Sequence, residues 1–119
     1  MGWAMTERGR GALARGADFL TIGPSALDWD GEALTIRIDE ITAPIPRRLR
    51  GSVRLWPEAM MARDYPLDPA GAHVWRPLAT RAPVEVMLDR PDLRWRGEGY
   101  LDSNFGNAPL ERAFSDWRW

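Results

Sequence analysis

Two side chains that can exchange protons, the phenol of Tyr100 and the carboxyl of Asp102, stand two residues apart in this 119-residue chain. They belong to segment 97–106, Gly-Glu-Gly-Tyr-Leu-Asp-Ser-Asn-Phe-Gly, in which apolar and polar residues alternate. Alternation with period 2 predicts a β-strand, on which residues i and i+2 share a face. We therefore expect Tyr100 beside Asp102. With seven tryptophans in the chain, this pair suggests acid chemistry near an apolar cavity that tolerates a cation.

Most of the remaining chain is predicted to form β-strands. Asp30-Gly31 separates two apolar runs and is a hairpin signal. Many short strands divided by turn residues indicate an all-β protein, an antiparallel barrel or sandwich. The strands are expected at residues 19–22, 26–29, 34–39, 53–56, 84–88 and 93–102.

One short N-terminal helix is predicted over residues 6–17, with Thr6 as its N-cap. Gly9, Gly11 and Gly16 weaken this helix, because glycine has a low helix propensity.

The composition of the chain excludes several classes of function. The formal net charge of −1 leaves no basic footprint for nucleic acid. The chain has no cysteine, so neither disulfides nor thiolate metal sites are expected. No apolar run approaches the length of a membrane-spanning helix, and no signal peptide is visible.

The segment that begins at Gly97 resembles the carotenoid 1,2-hydratases, also called hydroxyneurosporene synthases. Their pattern G-x-G-Y-x-D-S-N-x-G-x-x-P-L-E-x-x-F-x-x-W-x-W is matched at every fixed position through Trp119. Family members are considerably longer. Residues 1–119 are therefore expected to form a single lipocalin-like domain that is a fragment of a longer protein. Shorter similarities precede this segment at residues 6–10, 20–27, 29–31, 49–55 and 73–77.

The resemblance implies a partial lipocalin-like antiparallel barrel, a fold suited to a long apolar ligand. It also implies that Asp102, Tyr100 and Trp75 are the catalytic residues of a hydratase that adds water to the terminal C1–C2 double bond of acyclic carotenoids. No metal or other cofactor is expected. The partners are the carotenoid and water, and a lipid-soluble substrate implies a location in the cytoplasm, peripheral to the bacterial inner membrane.

The residue types fit that chemistry. A proton must be delivered to carbon, and the tertiary carbocation that forms must be shielded until water reaches it. A carboxylic acid in an apolar pocket keeps its proton to higher pH, because desolvation disfavours the charged form. Aromatic faces stabilise a nearby cation through the ring quadrupole. Asp102 is thus the expected acid, with Tyr100 and Trp75 flanking the cation.

Other interpretations remain open. An aspartate near a turn more often makes a local hydrogen bond than catalyses a reaction, and the lone His73 is more often structural than a ligand or base. Arg47, Arg48 and Arg50 form either a solvated loop or a contact with anionic lipid. The chain is either a hydratase, a binding module for an apolar ligand without catalysis, or an inactive fragment. Open strand edges also predict self-association.

Overall fold

A computed structural model describes residues 3–5 and 8–116 of the chain. Its elements are almost all β-strands, joined by short turns, and one α-helical turn follows the last strand. The strands are β1 (Leu13–Arg15), β2 (Phe19–Ile22), β3 (Ser25–Trp29), β4 (Leu34–Ile41), β5 (Arg48–Leu55), β6 (Tyr65–Pro66), β7 (His73–Arg90) and β8 (Asp92–Gly106), and the helix is α1 (Leu110–Ala113).

The strands form one eight-stranded antiparallel sheet, in the order β1-β2-β3-β4-β5-β7-β6, with β8 on the other edge of β7. The all-β prediction is therefore confirmed, and the arrangement is that of a partial lipocalin-like sheet or barrel. Within residues 3–5 and 8–116, β1 and β8 each pair with one neighbour only. The radius of gyration is 16.2 Å, against about 13.5 Å expected for a compact domain of this length. The sheet is thus open.

The helix predicted over residues 6–17 is reduced to one 3-10 turn, Arg10–Ala12, and the prediction needs correction beyond that turn. Residues 13–15 instead form β1, and the backbone N–H of Gly16 donates to the carbonyl of Phe19 at 2.9 Å. Pairing with β2 gives hydrogen-bond partners to the backbone N–H and C=O groups of residues 13–15. The glycines of this segment disfavour the helix in which such groups would bond to one another. The predicted N-cap, Thr6, lies outside the described residues.

The core consists of rows of side chains that cross one face of the sheet. Leu55 lies opposite both Leu34 and Val84, and the next row joins Val53 to Val86. Alternate residues of each strand share this face, so the period-2 pattern builds the rows directly. No large side chain among the described residues is fully buried, which makes this a thin core for 119 residues.

The long hairpin of β7 and β8 positions the predicted catalytic residues. It is closed at one end by the turn at Arg90-Pro91, where Asp89 pairs with Asp92, and His73 pairs with Gly106 at the other end. Two register shifts interrupt the ladder, between Pro77 and Ala79 and between Ala79 and Ala82. Such irregularities bend a strand and change the direction of its side chains.

Candidate active site

Trp75, Tyr100 and Asp102 meet on one face of the β7–β8 hairpin. Trp75 pairs with Asn104, and Asp102 pairs with Pro77, so Trp75 and Asp102 are diagonal neighbours on the two strands. The indole Nε1–H of Trp75 donates to Asp102 Oδ2 at 2.7 Å. The phenol O–H of Tyr100 donates to the same oxygen at 2.9 Å. The structure therefore brings all three predicted residues into one hydrogen-bonded cluster.

Asp102 Oδ2 is the centre of this cluster. It accepts from two donors, and the Trp75 N–H also lies 3.1 Å from the Tyr100 oxygen. Hydrogen bonds to an ionised acceptor are roughly twice as strong as neutral ones. Two donors on one oxygen fix the orientation of the carboxyl and stabilise its negative charge. No donor among the described residues contacts Asp102 Oδ1.

Trp75 is held on its other side by β6. Tyr65 pairs with Trp75 in the ladder, and their ring centroids lie 5.3 Å apart at a 40° tilt. The Arg63 guanidinium lies 5.0 Å from the centre of the Tyr65 ring. These contacts orient the indole so that its N–H reaches β8.

A bulge sits beside the cluster. Pro77 lies opposite Asp102, and the register shifts immediately after it, leaving Leu78 without a partner in the ladder. Proline has no backbone N–H and cannot donate to the ladder, so it is found at such irregularities. Pro77 is buried. The bulge lies where β8 carries Tyr100 and Asp102.

The pKa of Tyr100 is raised above its usual value. Loss of solvation is the largest cause, followed by the hydrogen bond to Asp102, while the Trp75 contact acts in the opposite direction. The phenol therefore remains protonated at neutral pH and serves as a donor.

The cluster is partly exposed. Tyr100 is 47% exposed, and Trp75 and Asp102 are half-buried. A cavity of about 410 Å³ lies next to the cluster. Its lining includes Asn104, the residue that pairs with Trp75. The three clustered residues do not line this cavity. Its other lining residues are mostly apolar: Leu67, His73, Val74, Phe105, Gly106, Ala108 and Leu110.

His73 and Asp68 form a buried pair that the sequence analysis did not predict. Asp68 Oδ2 lies 3.2 Å from His73 Nδ1, and His73 Nε2 lies 2.9 Å from the carbonyl oxygen of Ala108. Burial raises the pKa of Asp68, but N–H groups of Ala72, His73 and Ala70 outweigh it and hold that pKa below its usual value. The turn signature Asp68-Pro69-x-Gly71 was the available signal. His73 is thus tied to the segment before α1.

The charged residues near Asp102 on β8 pair with β7. Arg96 contacts Glu85 at 2.7 Å, and Glu98 pairs with Arg81. These are exposed cross-strand ion pairs of small energetic value. They fix neighbouring side chains without reaching Asp102.

Within the part of the chain that the structure describes, two features are absent. No group of three or more His, Cys, Asp or Glu residues is placed to hold a metal ion. No helix has the length and apolar character needed to cross a membrane.

The fold and the site define an all-β protein with a carboxylate held by an indole and a phenol. The chain belongs to the carotenoid hydratase family, because the family model "Carotenoid hydratase CrtC" matches residues 1–119. It is 59% identical to an acyclic carotenoid 1,2-hydratase of Thiocapsa roseopersicina and 50% identical to one of Rubrivivax gelatinosus, each over 98% of this chain. It is 45% identical to the enzyme of that name from Rhodobacter capsulatus, again over 98% of the chain.

The chain spans only part of these relatives, 29% of the Thiocapsa and Rubrivivax proteins and 42% of the Rhodobacter protein. All are bacterial proteins. No solved structure matches the chain.

Proposed function

We propose that this chain carries the proton-transfer residues of a carotenoid 1,2-hydratase. The reaction adds water, without a cofactor, to the terminal C1–C2 double bond of acyclic carotenoids such as neurosporene or lycopene. The observation that carries the proposal is the shared acceptor: Trp75 and Tyr100 both donate to Asp102 Oδ2. That arrangement suits a carboxyl that gives up a proton and must then be stabilised as an anion.

In the proposed first step, Asp102 is the general acid. Both protein donors contact Oδ2, so Oδ1 carries the acidic proton. The proton moves to C2 of the substrate, and the electron pair of the double bond forms the new C–H bond. A tertiary cation remains at C1. The π faces of Trp75 and Tyr100 stabilise it while their N–H and O–H groups stabilise the Asp102 carboxylate.

In the second step, water adds to C1. The carboxylate of Asp102 removes a proton from the attacking water, which restores the acid and leaves a tertiary alcohol. The net change is the addition of one water molecule. A metal ion or redox group has no part in this scheme.

The substrate suggests where the protein works. An acyclic carotenoid is dissolved in lipid, so we place the protein in the cytoplasm and peripheral to the inner membrane. We also propose that residues 1–119 belong to one lipocalin-like domain, completed by further chain in the longer protein. The partly exposed site supports this, since Tyr100 is 47% exposed where a carbocation needs shielding from bulk water.

Incubation with neurosporene or lycopene in detergent micelles tests the proposal. A product heavier by one water, bearing a tertiary hydroxyl at C1, is the expected result. The substitution Asp102→Asn should abolish this product and leave substrate binding unchanged. If the chain alone is inactive, the same substitution at the aligned position of a full-length relative supplies the test.

A second candidate function is a binding module for an apolar ligand. The cavity of about 410 Å³ favours it, because its lining includes Leu67, Val74 and Phe105. Binding without turnover in both the chain and a full-length relative distinguishes this module from a hydratase. An inactive fragment differs from both by binding no carotenoid.

A further inference from the structure

Two turns meet at one end of the sheet and form what we call the arginine tip. One turn, residues 42–47, joins β4 to β5. The other, Arg90-Pro91, joins β7 to β8. Arg50 pairs with Arg90 in the ladder, which brings the turns together. A cavity of about 420 Å³ lies between them, lined by Thr42, Arg47, Arg48, Leu49, Arg90 and Pro91.

The tip carries four arginines, at positions 47, 48, 50 and 90, against three carboxylates, at positions 39, 89 and 92, which leaves an excess of one positive charge. Arg48 is paired with Asp39 at 2.6 Å, and Arg50 lies 3.8 Å from Asp89. Arg47 and Arg90 have no carboxylate partner within residues 3–5 and 8–116. The guanidinium of Arg90 reaches only the backbone oxygen of Asp89, at 3.5 Å. Two exposed guanidinium groups are therefore available on either side of the cavity.

Large apolar side chains surround these charges and point into solvent. Ile45, at the apex of the 42–47 turn, is 62% exposed, and Ile41 is 54% exposed. Trp3 is 55% exposed and is joined to the turn by its backbone, since Ala43 N–H donates to the Trp3 carbonyl at 2.7 Å. A tryptophan, two isoleucines and two arginines without carboxylate partners thus share one end of the molecule.

We propose that the arginine tip docks on the surface of an anionic lipid bilayer. Arginine near a negatively charged leaflet is attracted to lipid phosphates. Tryptophan is enriched at the membrane–water interface, and exposed aliphatic side chains add buried area when they enter the headgroup region. A second copy of the chain is a poorer occupant, because two arginine tips repel each other.

This inference deepens the proposed peripheral location and names the surface responsible. Asp102 lies ten residues along β8 from Asp92 at the tip, about 33 Å at the usual rise per residue. Tip substitutions therefore leave the candidate active site intact. Vesicle binding is measured without turnover, so the tip and the hydratase proposal can fail separately.

Cosedimentation with vesicles of phosphatidylcholine alone, or mixed with phosphatidylglycerol, tests the proposal. The chain should bind the mixed vesicles and release them as salt rises, because the attraction is screened. Each arginine near such a surface contributes about fivefold to partitioning. The double variant Arg47→Gln/Arg90→Gln should therefore bind about thirtyfold more weakly. The variant Ile45→Ser should bind more weakly at every salt concentration.

The matched control is Arg15→Gln/Arg112→Gln, which removes the same charge outside the tip. Its binding should equal that of the unsubstituted chain. Circular dichroism checks that each variant keeps its β-structure. We expect it to, because the substituted side chains are exposed. Equal binding of both double variants would overturn the proposal, as would equal binding to neutral vesicles. Displacement by inorganic phosphate beyond that by chloride at matched ionic strength would indicate an anion site instead.

Discussion

The indole N–H of Trp75 lies 2.7 Å from Oδ2 of Asp102, although 27 residues separate the two in sequence. This bond crosses from β7 to β8 and connects an aromatic face to a carboxyl that also accepts from Tyr100. An acid that must lose a proton to carbon benefits from donors already in place for its conjugate base. The three residues therefore form one unit, and the effects of substituting them on the hydration rate should not be additive.

Trp75 is expected to act through both its N–H and its ring. Trp75→Phe removes the donor and keeps a π face, and a lost hydrogen bond to a charged group costs about 1.5–3 kcal/mol. We expect hydration to slow roughly 10- to 100-fold in Trp75→Phe, and more in Trp75→Ala. Product formation measured in the chain or a full-length relative checks this. Equal rates for the two variants would argue against a role for the ring face.

The phenol of Tyr100 should titrate above its usual pKa, as loss of solvation and the bond to Asp102 both raise it. Tyrosinate absorbance in a Tyr65→Phe background isolates this group. Asp102→Ala, which removes the acceptor, should bring the pKa of Tyr100 back toward the ordinary value. Because the folded pKa is raised, this group's contribution to stability is complete below about pH 10. It is lost as pH rises through the folded pKa. An unchanged titration in Asp102→Ala would show that the hydrogen bond is not formed.

Asp68 should contribute to acid sensitivity. Despite its burial, backbone N–H groups and His73 hold its pKa below the usual value. Its stabilisation is therefore present above about pH 3.9, and is lost as pH falls through the folded pKa. Asp68→Ala should lower the free energy of unfolding at neutral pH, because the backbone N–H groups of Ala72 and His73 lose their acceptor. Denaturant melts at several pH values measure this, with Asp18→Asn as the exposed control. A pH dependence that Asp68→Ala leaves unchanged would contradict the assignment.

The isolated chain should associate through the free edge of β8. That edge has no strand partner within residues 3–5 and 8–116, and Trp95 on β8 is 47% exposed. Charged residues on an edge strand oppose strand addition, so Trp95→Lys should shift sedimentation toward monomer. Phe19→Lys is the matched control, because β2 is paired on both sides and Phe19 is 42% exposed. A monomeric unsubstituted chain at high concentration would contradict this prediction.

The local pattern of apolar and polar residues was sufficient to predict much of the sheet. The Asp30-Gly31 hairpin forms between β3 and β4, and Tyr100 lies beside Asp102, because period 2 alone fixes these relationships. The helix over residues 6–17 failed because its apolar pattern carried three glycines and tertiary pairing with β2 prevailed. Trp117 and Trp119, which complete the family pattern, lie outside the described residues.

The spacing of residues in the sequence could not predict that Trp75 lies beside Asp102. It depends on the register of a long hairpin with two shifts near Ala79, and no local rule predicts where such bulges fall. Only the family resemblance suggested the grouping. The Asp68–His73 pair was overlooked for a related reason: Asp68 reads as a turn residue, and its contact with His73 follows from how that turn folds.

The hydration assay of Asp102→Asn tests the proposed acid most directly. The amide keeps the shape of the side chain and can still accept from Trp75 and Tyr100, but it has no acidic proton to give. Asp92→Asn, on the same strand and exposed, is the matched control. Both variants should bind lycopene equally, Asp92→Asn should form the C1 alcohol at the unsubstituted rate, and Asp102→Asn should form none. Alcohol formed by Asp102→Asn at that same rate would contradict the account.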